Sequence, residues 1–461
     1  MNTLETVIIG SGPGGYVAAI RASQLGQQVT IIERNVIGGT CLNVGCIPSK
    51  ALLQAGHAYQ AILHAAKFGI TATGSLDFEK TQVWKDTQVV QKLRSGVTQL
   101  LKKNKVSLLF GEAQFISKNT LRITSEGKTE EVSFKKAILA IGSRPIAIKA
   151  APYGKRIVDS TGLLNTTFLP KTLSVIGAGY IGSELAEAYA AFGTKVTLIE
   201  ATPSILPGFN SKLSDLVKRN LTKLGVTILT DALVLSSVED ADKVTLTYKK
   251  DNAEYTIDSD LVLVSVGRRP NTDQVNINVS GIELDPKGYV KVNKQSQSTN
   301  PDVYAIGDIT AGLALAHKAS YEAKIVAEVI AGHQVQIDYK AMPAVCYTTP
   351  EIATTGLSLE ECLAQNIKAK ATDFPLAANS RAIAQAQTEG FVRIIFDEQT
   401  KLILGAQIAG TSASEIITIV TLAIETGLTL EDVALTIFPH PSVAEAIMDN
   451  MEVGLGYPIH I

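Results

Sequence analysis

A strand–glycine–helix pattern that occurs twice predicts an α/β fold with two doubly wound, Rossmann-like dinucleotide-binding domains. In both copies a short apolar strand leads into a G-x-G-x-x-G turn, a helix and a second apolar strand that ends at a glutamate. From about residue 342 the pattern changes to antiparallel-looking strands and long apolar helices. We therefore expect a C-terminal α+β domain after the two nucleotide domains.

Length and composition agree with this division. A chain of 461 residues is too long for one core and should form several domains. Its 36 glycines and 46% hydrophobic residues fit a soluble α/β protein with many strand-to-helix turns. The 42 basic and 44 acidic residues nearly cancel, so charge predicts no binding to nucleic acid or to an anionic membrane.

Three features predict a cytoplasmic protein without a metal site. No run of 18 apolar residues offers a membrane span. A strand begins almost at once, at residues 6–9, and leaves no room for a signal peptide. The chain has only 4 cysteines, which favours an intracellular protein whose disulfides are catalytic or transient.

The first copy of the pattern opens the chain. A strand at 7–9 precedes G-S-G-P-G-G at 10–15, a helix follows, and the strand at 28–32 ends at Glu33. A lone glycine motif is weak evidence, but strand, helix and acid all stand in the expected places. The alternative is a glycine-rich turn without a ligand.

Each glycine of this turn has a physical task. Gly10 permits the tight turn, Gly12 lets the backbone approach a pyrophosphate, and Gly15 permits close helix–strand packing. Gly14 lies in the same turn, where free N–H groups and the helix dipole favour a phosphate. Glu33 can accept a hydrogen bond from a ribose hydroxyl.

The second copy repeats every part of the first. Strands at 172–176 and 195–199 enclose G-A-G-Y-I-G at 177–182 and end at Glu200. Its motif glycines are Gly177, Gly179 and Gly182. Two complete copies indicate one bound flavin and one exchangeable nicotinamide. Glu200 favours a free 2′-hydroxyl and repels a 2′-phosphate, which selects NAD over NADP.

Between the two copies, G-T-C-L-N-V-G-C-I-P-S-K at 39–50 carries a C-x4-C pair, Cys41 and Cys46. One interpretation is a stapling disulfide or two ordinary buried cysteines. A staple over so short a loop would contribute about 2 kcal/mol, which is little for a chain with a large core. The glycines in front and the proline behind favour a redox-active pair close to the surface.

A third segment, F-P-H-P-S-V-A-E-A at 438–446, holds His440 between two prolines at the entrance to a helix. Ser442 and Glu445 fit the S-x-x-E capping box, so Glu445 is either a helix cap or a partner of His440. The residues alone leave both alternatives open.

The remaining segments give a coarse prediction of secondary structure. Predicted helices are 49–67, 79–103, 183–192, 415–425, 430–436 and one that begins at 316. Predicted strands beyond those of the two motifs are 106–110, 121–125, 131–134, 137–143, 226–229, 243–248, 259–266, 303–308, 344–348, 349–353, 391–396 and 402–408.

The segment at 39–50 resembles the active-site segment of the flavoprotein disulfide reductases, and within them most resembles the dihydrolipoamide dehydrogenases. The resemblance extends over nearly the entire chain, including both glycine motifs, G-D at 307–308 and H-P-x-x-x-E at 440–445. It implies four segments: an FAD-binding domain at 1–145, an NAD-binding domain at 146–270, a central segment returning to the FAD domain at 271–341, and an interface domain at 342–461 that forms a homodimer.

The resemblance also implies the chemistry. A substrate dithiol would be attacked as thiolate on the Cys41–Cys46 disulfide, with Cys41 as the interchange thiol and Cys46 facing the flavin. His440 would accept the substrate proton, and Glu445 would orient the imidazole and favour its protonated form. Electrons would pass to tightly bound FAD and leave as hydride to NAD+, which becomes NADH.

Other residue roles rest on the resemblance alone. Lys50 would lie near flavin N5, paired with the acid Glu184, and Tyr180 would cover the empty nicotinamide site. Further cofactor contacts would come from Ala113, Gly142, Asp308 and Ala316 for FAD and from Gly267 for NAD. Two positions depart from the family pattern, Ile141 in place of threonine and Thr349 in place of histidine. Cys346 and Cys362 match no redox motif and are expected to be buried or incidental.

The implied reaction is oxidation of protein-bound dihydrolipoamide to lipoamide. The expected partners are lipoyl domains of the acyltransferases of 2-oxoacid dehydrogenase complexes or of glycine-cleavage carrier proteins. Among the alternatives, Glu200 disfavours an NADP-linked glutathione reductase, and the lack of a C-terminal cysteine pair disfavours a mercuric reductase. A low-turnover flavin redox sensor or structural subunit remains a third alternative.

Overall fold

A computed structural model of the protein describes residues 2–461. The chain divides into two compact units. The first contains the chain up to Ile148 together with Val158–Leu169 and Val266–Asp338. The second contains Lys149–Ile157, Pro170–Ser265 and Tyr339–Ile461.

The α-helices, numbered in chain order, are α1 (Pro13–Gln24), α2 (Gly39–Val44), α3 (Cys46–Leu63), α4 (Phe78–Trp84), α5 (Lys92–Lys103), α6 (Ser160–Leu164), α7 (Tyr180–Ala191), α8 (Ser211–Lys223), α9 (Ala316–Ile330), α10 (Leu359–Ala364), α11 (Ser380–Ala384), α12 (Ala413–Thr426), α13 (Leu430–Ala434) and α14 (Glu445–Leu455). A π-helix occupies Lys85–Gln91, and short 3-10 turns lie at Ala65–Phe68, Asn271–Gln274, Ile277–Val279, Gly307–Ile309 and Leu376–Ala378.

The strands are β1 (Asn2–Ile9), β2 (Val29–Glu33), β3 (Ser107–Phe110), β4 (Glu112–Ser117), β5 (Thr120–Ser125), β6 (Lys128–Leu139), β7 (Ser143–Pro145), β8 (Ile157–Val158), β9 (Thr172–Ile176), β10 (Lys195–Ile199), β11 (Thr227–Leu229), β12 (Leu233–Glu239), β13 (Val244–Lys250), β14 (Ala253–Ser259), β15 (Leu261–Val264), β16 (Arg268–Pro270), β17 (Val303–Ala305), β18 (Ala344–Cys346), β19 (Ile352–Gly356), β20 (Ala369–Pro375), β21 (Phe391–Asp397) and β22 (Ile403–Ala409).

The first unit is built on a seven-stranded sheet in the order β3-β2-β1-β6-β5-β4, with β17 paired to β6. Strands β1, β2, β3, β6 and β17 pair in parallel, whereas β5 pairs antiparallel with β6 and β4. Ile9 at the end of β1 faces both Ile32 and Leu139. The carboxyl ends of three strands therefore coincide, and ligands of doubly wound folds bind at that edge.

The second unit contains a parallel sheet and two antiparallel sheets. The parallel sheet has the order β11-β10-β9-β15-β8, and the three strands β12-β13-β14 form a separate antiparallel sheet. The C-terminal sheet, β18-β19-β22-β21-β20, is antiparallel throughout. Its core combines Ile394 of the sheet with Val420 of α12 and Ile447 of α14, all 0% exposed. The predicted fold class is confirmed, with a largely parallel sheet in each unit and a C-terminal α+β region.

Several element boundaries differ from the predicted ones. Strand β6 is a single strand where two were expected, because Lys136 stays in the strand and its Nζ lies 2.6 Å from Asp302 Oδ1. The π-helix Lys85–Gln91 interrupts the helix predicted at 79–103. Helix α3 begins at Cys46, since Pro48 falls in its first turn, where a backbone N–H is not needed.

The sequence did not predict strands β12 and β14, because they are mostly exposed and carry no continuous apolar face. The parallel strands of both units were predictable because their burial on two faces requires uninterrupted apolar runs. Between residues 2 and 461, no helix combines the length and the apolar composition that crossing a bilayer requires.

Candidate active site

The first glycine turn forms a backbone cradle at the end of β1. Helix α1 begins at Pro13 with Gly12 as its N-cap and without a side-chain cap, so N–H groups of its first turn remain available. A Cβ on Gly15 would overlap the carbonyl oxygen of Gly10, so a side chain here would force the helix away from the strand. Gly14 is buried against Ile306.

Glu33 braces this turn. Its Oε2 atom accepts the Ser11 N–H at 2.9 Å and the Ser11 hydroxyl at 2.6 Å. Its Oε1 atom accepts the Asn35 N–H at 2.9 Å. A carboxylate has about four acceptor positions, so Glu33 retains capacity for a ribose hydroxyl while it fixes the loop. The donors and the open cradle fit a dinucleotide.

The second unit repeats this construction around Glu200. Its Oε2 atom accepts the Ala178 N–H at 2.8 Å, and its Oε1 atom accepts the Thr202 N–H at 2.8 Å and hydroxyl at 2.9 Å. A Cβ on Gly182 would overlap the Gly177 carbonyl oxygen, whereas a Cβ on Gly179 would meet nothing within 4 Å. The second cradle is therefore open where a pyrophosphate would approach.

The cysteine segment packs directly on the first cradle. A Cβ on Gly39 would lie 2.5 Å from the Cα of Gly12, so the two backbones touch without side chains between them. Gly39 opens α2, which carries Cys41, and Cys46 is the first residue of α3. The sequence therefore places the thiol pair beside a dinucleotide cradle.

The two cysteines are not joined as a disulfide and hydrogen-bond to each other, with Cys41 half-buried and Cys46 exposed. The hydrogen bond to Cys46 raises the pKa of Cys41 far above its usual range; burial and the charge of Cys46 add to the rise, and Lys50 opposes it. In the reduced pair, the hydrogen bond to Cys46 therefore favours the protonated form of Cys41.

Tyr16 is a residue near this pair that the sequence did not reveal. Burial raises the pKa of its hydroxyl, and the charge of Cys41 raises it further, so the two side chains are electrostatic neighbours. Tyr16 directly follows the glycine motif, which is the one signal that points to it.

Asp308 lies in a turn directly after β17, beside the end of β7. Its Oδ2 atom accepts the Ser143 hydroxyl at 2.5 Å. Arg268 supports that serine, because its Nε donates to Ser143 Oγ at 2.8 Å. Ser143 and Arg268 were not among the predicted site residues.

The other residues that were predicted to contact the cofactors lie in different elements. Gly142 precedes β7, Ala316 is the first residue of α9, and Ala113 is buried in β4. Gly267 belongs to the first unit, where its carbonyl oxygen accepts the Ile146 N–H at 3.0 Å.

Two buried glutamates of helix α7 bind the backbone of the segment that follows strand β18. Glu184 accepts the Tyr347 N–H at 2.9 Å. Glu187 accepts the Thr349 N–H at 2.8 Å and its hydroxyl at 2.6 Å. The threonine that departs from the family pattern therefore has a fixed partner.

Lys50 belongs to the first unit and Glu184 to the second, and their pairing stays a prediction. Tyr180 opens α7 and is 41% exposed.

Of the two roles that the sequence left open, the structure shows Glu445 as the partner of His440, with a second bond to the Ser442 backbone. Its Oε1 atom lies 2.9 Å from His440 Nδ1, and its Oε2 atom accepts the Ser442 N–H at 2.6 Å. Burial acts to raise the pKa of Glu445, but the Ser442 N–H and His440 outweigh it and hold that pKa below its ordinary value. The Ser442 hydroxyl has no hydrogen-bond partner, and helix α14 begins at Glu445 with Ala444 as its N-cap, so the predicted capping box does not form.

His440 lies beside an exposed apolar stretch. The imidazole side chain is 73% exposed, and Leu435 and Ile437, shortly before it, are 76% and 97% exposed.

The other two cysteines, Cys346 and Cys362, are 0% exposed. Among residues 2–461 no group of histidine, cysteine and carboxylate side chains is arranged to hold a metal ion.

Comparison with protein families gives two matches. The sequence profile of the pyridine nucleotide-disulphide oxidoreductases matches residues 4–323, and that of their dimerisation domain matches residues 342–451. The dihydrolipoyl dehydrogenase of Geobacillus stearothermophilus is 49% identical over 458 residues, which is 99% of this chain and 97% of that protein. The dihydrolipoyl dehydrogenase of Bacillus subtilis strain 168 is also 49% identical, over 459 residues, with the same coverage.

Two solved structures share the fold over nearly the full length. LpdA from Mycobacterium tuberculosis superposes with a TM-score of 0.91 at 25% identity and covers 98% of this chain and 99% of its own. The HOCl-induced flavoprotein disulfide reductase RclA from Escherichia coli, as its Cu(II) complex, has a TM-score of 0.88 at 28% identity, covering 98% and 100%. The resemblance carried by the cysteine segment is thereby confirmed: the chain belongs to the pyridine nucleotide-disulphide oxidoreductase family.

Proposed function

We propose that the protein is a dihydrolipoyl dehydrogenase, which oxidises the dithiol of protein-bound dihydrolipoamide and transfers the hydride to NAD+. The observation that carries this proposal is the backbone contact between Gly12 and Gly39. It builds a pair of thiols onto a cradle whose donors and carboxylate fit a dinucleotide. The full-length similarity to dihydrolipoyl dehydrogenases supports the choice of substrate.

FAD and NAD(H) are the cofactors of this family. Residues that would hold FAD are the first glycine turn, Glu33 and Asp308, and those that would hold NAD are the second glycine turn and Glu200. When bound, the flavin supplies two-electron transfer between a dithiol and a nicotinamide. The protein contributes position and proton control.

The thiol chemistry is carried by residues of this chain. A substrate thiolate attacks Cys41 Sγ in the oxidised pair, the bond between Cys41 and Cys46 breaks, and Cys46 leaves as a thiolate. The second substrate thiol then displaces Cys41, so that the substrate becomes a cyclic disulfide and the cysteine pair is reduced. His440 accepts the proton of the attacking thiol, and Glu445 holds the imidazole through Nδ1.

His440 belongs to the segment that matches the dimerisation domain of the family, which supports a location where subunits meet. We assign His440 and Glu445 of one subunit to the cysteine pair of its partner. Further parts of the proposal are the four segments at 1–145, 146–270, 271–341 and 342–461, lipoyl domains as partners, and a cytoplasmic location.

Steady-state kinetics with two thiols and two nucleotides tests the proposal. We expect NADH formation with dihydrolipoamide and NAD+, and a kcat/KM for NADP+ lower by about 10- to 100-fold because Glu200 repels a 2′-phosphate. Glutathione in place of dihydrolipoamide is the matched control. Equal use of glutathione or NADP+ would favour a glutathione reductase. Retention of flavin without turnover of either thiol would favour a redox sensor.

A further inference from the structure

A buried ion pair lies behind the turn that carries Asp308. Lys318 and Glu322 are one helical turn apart on α9, with side chains 3% and 5% exposed, and Nζ lies 2.9 Å from Oε1. Removing two charges from water is costly, and a buried pair is often no more stabilising than apolar residues in its place. Stability alone therefore explains this pair poorly.

Both members of the pair bind the same glycine. Glu322 Oε2 accepts the Gly307 N–H at 2.7 Å, and Lys318 Nζ donates to the Gly307 carbonyl oxygen at 3.2 Å. Lys318 also donates to Thr310 Oγ1 at 2.8 Å, and the Thr310 hydroxyl donates to the Gly307 carbonyl oxygen at 2.9 Å. The peptide groups on both sides of Gly307 are thus held by charged side chains, which fixes the backbone of Asp308.

The carboxylate of Asp308 is electrostatically linked to the pair. Burial raises the pKa of Glu322, Lys318 and the Gly307 N–H oppose that rise, and the charge of Asp308 adds to it. Lys318 therefore offsets the repulsion that the charge of Asp308 exerts on the Glu322 carboxylate.

We propose that Lys318 and Glu322 are positioning residues for the flavin, because they fix the turn from which Asp308 meets the cofactor. This inference rests on the proposed function, in which Asp308 holds FAD. Neither residue touches the reacting atoms, and their effect passes through Gly307 and Asp308.

FAD titration of the apoprotein, followed by quenching of flavin fluorescence, tests the proposal. Lys318→Met should raise the Kd for FAD at least about ten-fold, because it leaves Glu322 and Asp308 uncompensated. The matched control is Lys85→Met: Lys85 is equally buried in the same unit, at 1% exposed, and instead binds Asp86 and the Leu164 carbonyl oxygen. Its Kd should stay within about two-fold of the wild-type value.

Two further variants keep the test decisive if Lys318→Met fails to fold. Thr310→Val removes only the hydroxyl between Lys318 and Gly307 and should raise the Kd for FAD about three-fold. The double variant K318M/E322Q removes both charges but keeps an acceptor for the Gly307 N–H, so it should bind FAD more tightly than Lys318→Met alone.

Three results would overturn the inference: wild-type FAD affinity in both Lys318→Met and Thr310→Val, equal loss of FAD in Lys85→Met, or no recovery in the double variant. Failure of the proposed function would look different. Wild-type protein would then bind FAD but form no NADH from dihydrolipoamide, while the order of FAD affinities among the variants would still answer the positioning question.

Discussion

At the scale of single residues, Glu445 decides how His440 is presented. One carboxylate oxygen holds the imidazole Nδ1 and the other holds the Ser442 N–H at the start of α14. Because the pKa of Glu445 is lowered, its charge persists as the pH falls and is lost only when the pH drops through that lowered value. Any folding stability that this charge contributes is therefore present at a pH above the pKa of Glu445 and is lost at a pH below it.

Glu445→Gln should therefore remove the charge at every pH while keeping an oxygen that can accept a hydrogen bond. We expect kcat for dihydrolipoamide oxidation to fall by about 10- to 100-fold with little change in KM, since positioned acid–base groups contribute on this order. Glu452→Gln, on the same helix, is the matched control and should retain wild-type kcat. A Glu445→Gln enzyme with unchanged kcat across the pH profile would contradict the assigned role.

Residues with a task of their own were predictable from the sequence. The motif glycines, Glu33 and Glu200 follow from spacing, because each is required by a turn or a hydroxyl. Supporting residues such as Ser143, Lys318 and Glu322 were not predictable, because their contacts depend on how the chain folds back. Ser143 bonds Asp308, 165 positions away, and Lys318 and Glu322 fold back onto Gly307, 11 and 15 positions away. Lys318 and Glu322, four positions apart, would pass for a solvated helix pair.

At the scale of elements, the junction of α2 and α3 sets the distance between the thiols. Gly45 separates the two helices, with φ −146° and ψ −115°. A Cβ at this position would lie 2.9 Å from the Thr40 carbonyl oxygen and 3.3 Å from the Cα of Cys41. The helix that carries Cys41 is thus packed directly against the residue before Cys46.

Gly45→Ala should push the two helices apart and strain the disulfide. We expect the dithiol form to be favoured by a shift of about 30 mV or more, equivalent to 1.4 kcal/mol, in the thiol–disulfide equilibrium. Equilibration in glutathione buffers followed by thiol trapping measures it.

Gly96→Ala is the matched control for Gly45→Ala. Gly96 lies inside α5, and a Cβ there would meet nothing within 4 Å. This change should leave the potential unaltered and stabilise the helix by about 0.5–1 kcal/mol. An unaltered potential in Gly45→Ala would show that the junction does not control the pair.

Elements with apolar periodicity were predicted well, and the exceptions have physical causes. The π-helix at Lys85–Gln91 begins at Lys85, which bonds the Leu164 carbonyl oxygen 79 positions away, a contact that no local pattern reveals. The start of α3 at Cys46 was missed because Pro48 resembles a helix boundary, although a first turn tolerates it.

At the scale of the whole molecule, the sequence predicted a duplicated nucleotide fold because the motif leaves a long, regular pattern, and it predicted a dimerisation domain through the family resemblance. How a site is shared between subunits leaves no such pattern. Its test is co-expression of inactive Cys41→Ser with inactive His440→Ala.

In a mixed dimer with sites built from both subunits, one site collects both substitutions and the other collects none. Random pairing should then restore about a quarter of wild-type sites, because half of the dimers are mixed and half of their sites are intact. Each variant expressed alone is the control and should stay inactive. A verified heterodimer without recovered activity would show that each site is built within one subunit.

The exposure of Ile437 and Leu435 implies that the activity supported by the proposed catalytic histidine depends on enzyme concentration. Side chains that are 97% and 76% exposed, close before His440, form an apolar surface that a lone subunit would present to water. Dilution below the dissociation constant of the dimer would thus separate His440 from the thiol pair of the partner subunit. The same dissociation would produce a monomer whose exposed apolar surface favours aggregation. Specific activity would fall on dilution and would not fully return on reconcentration.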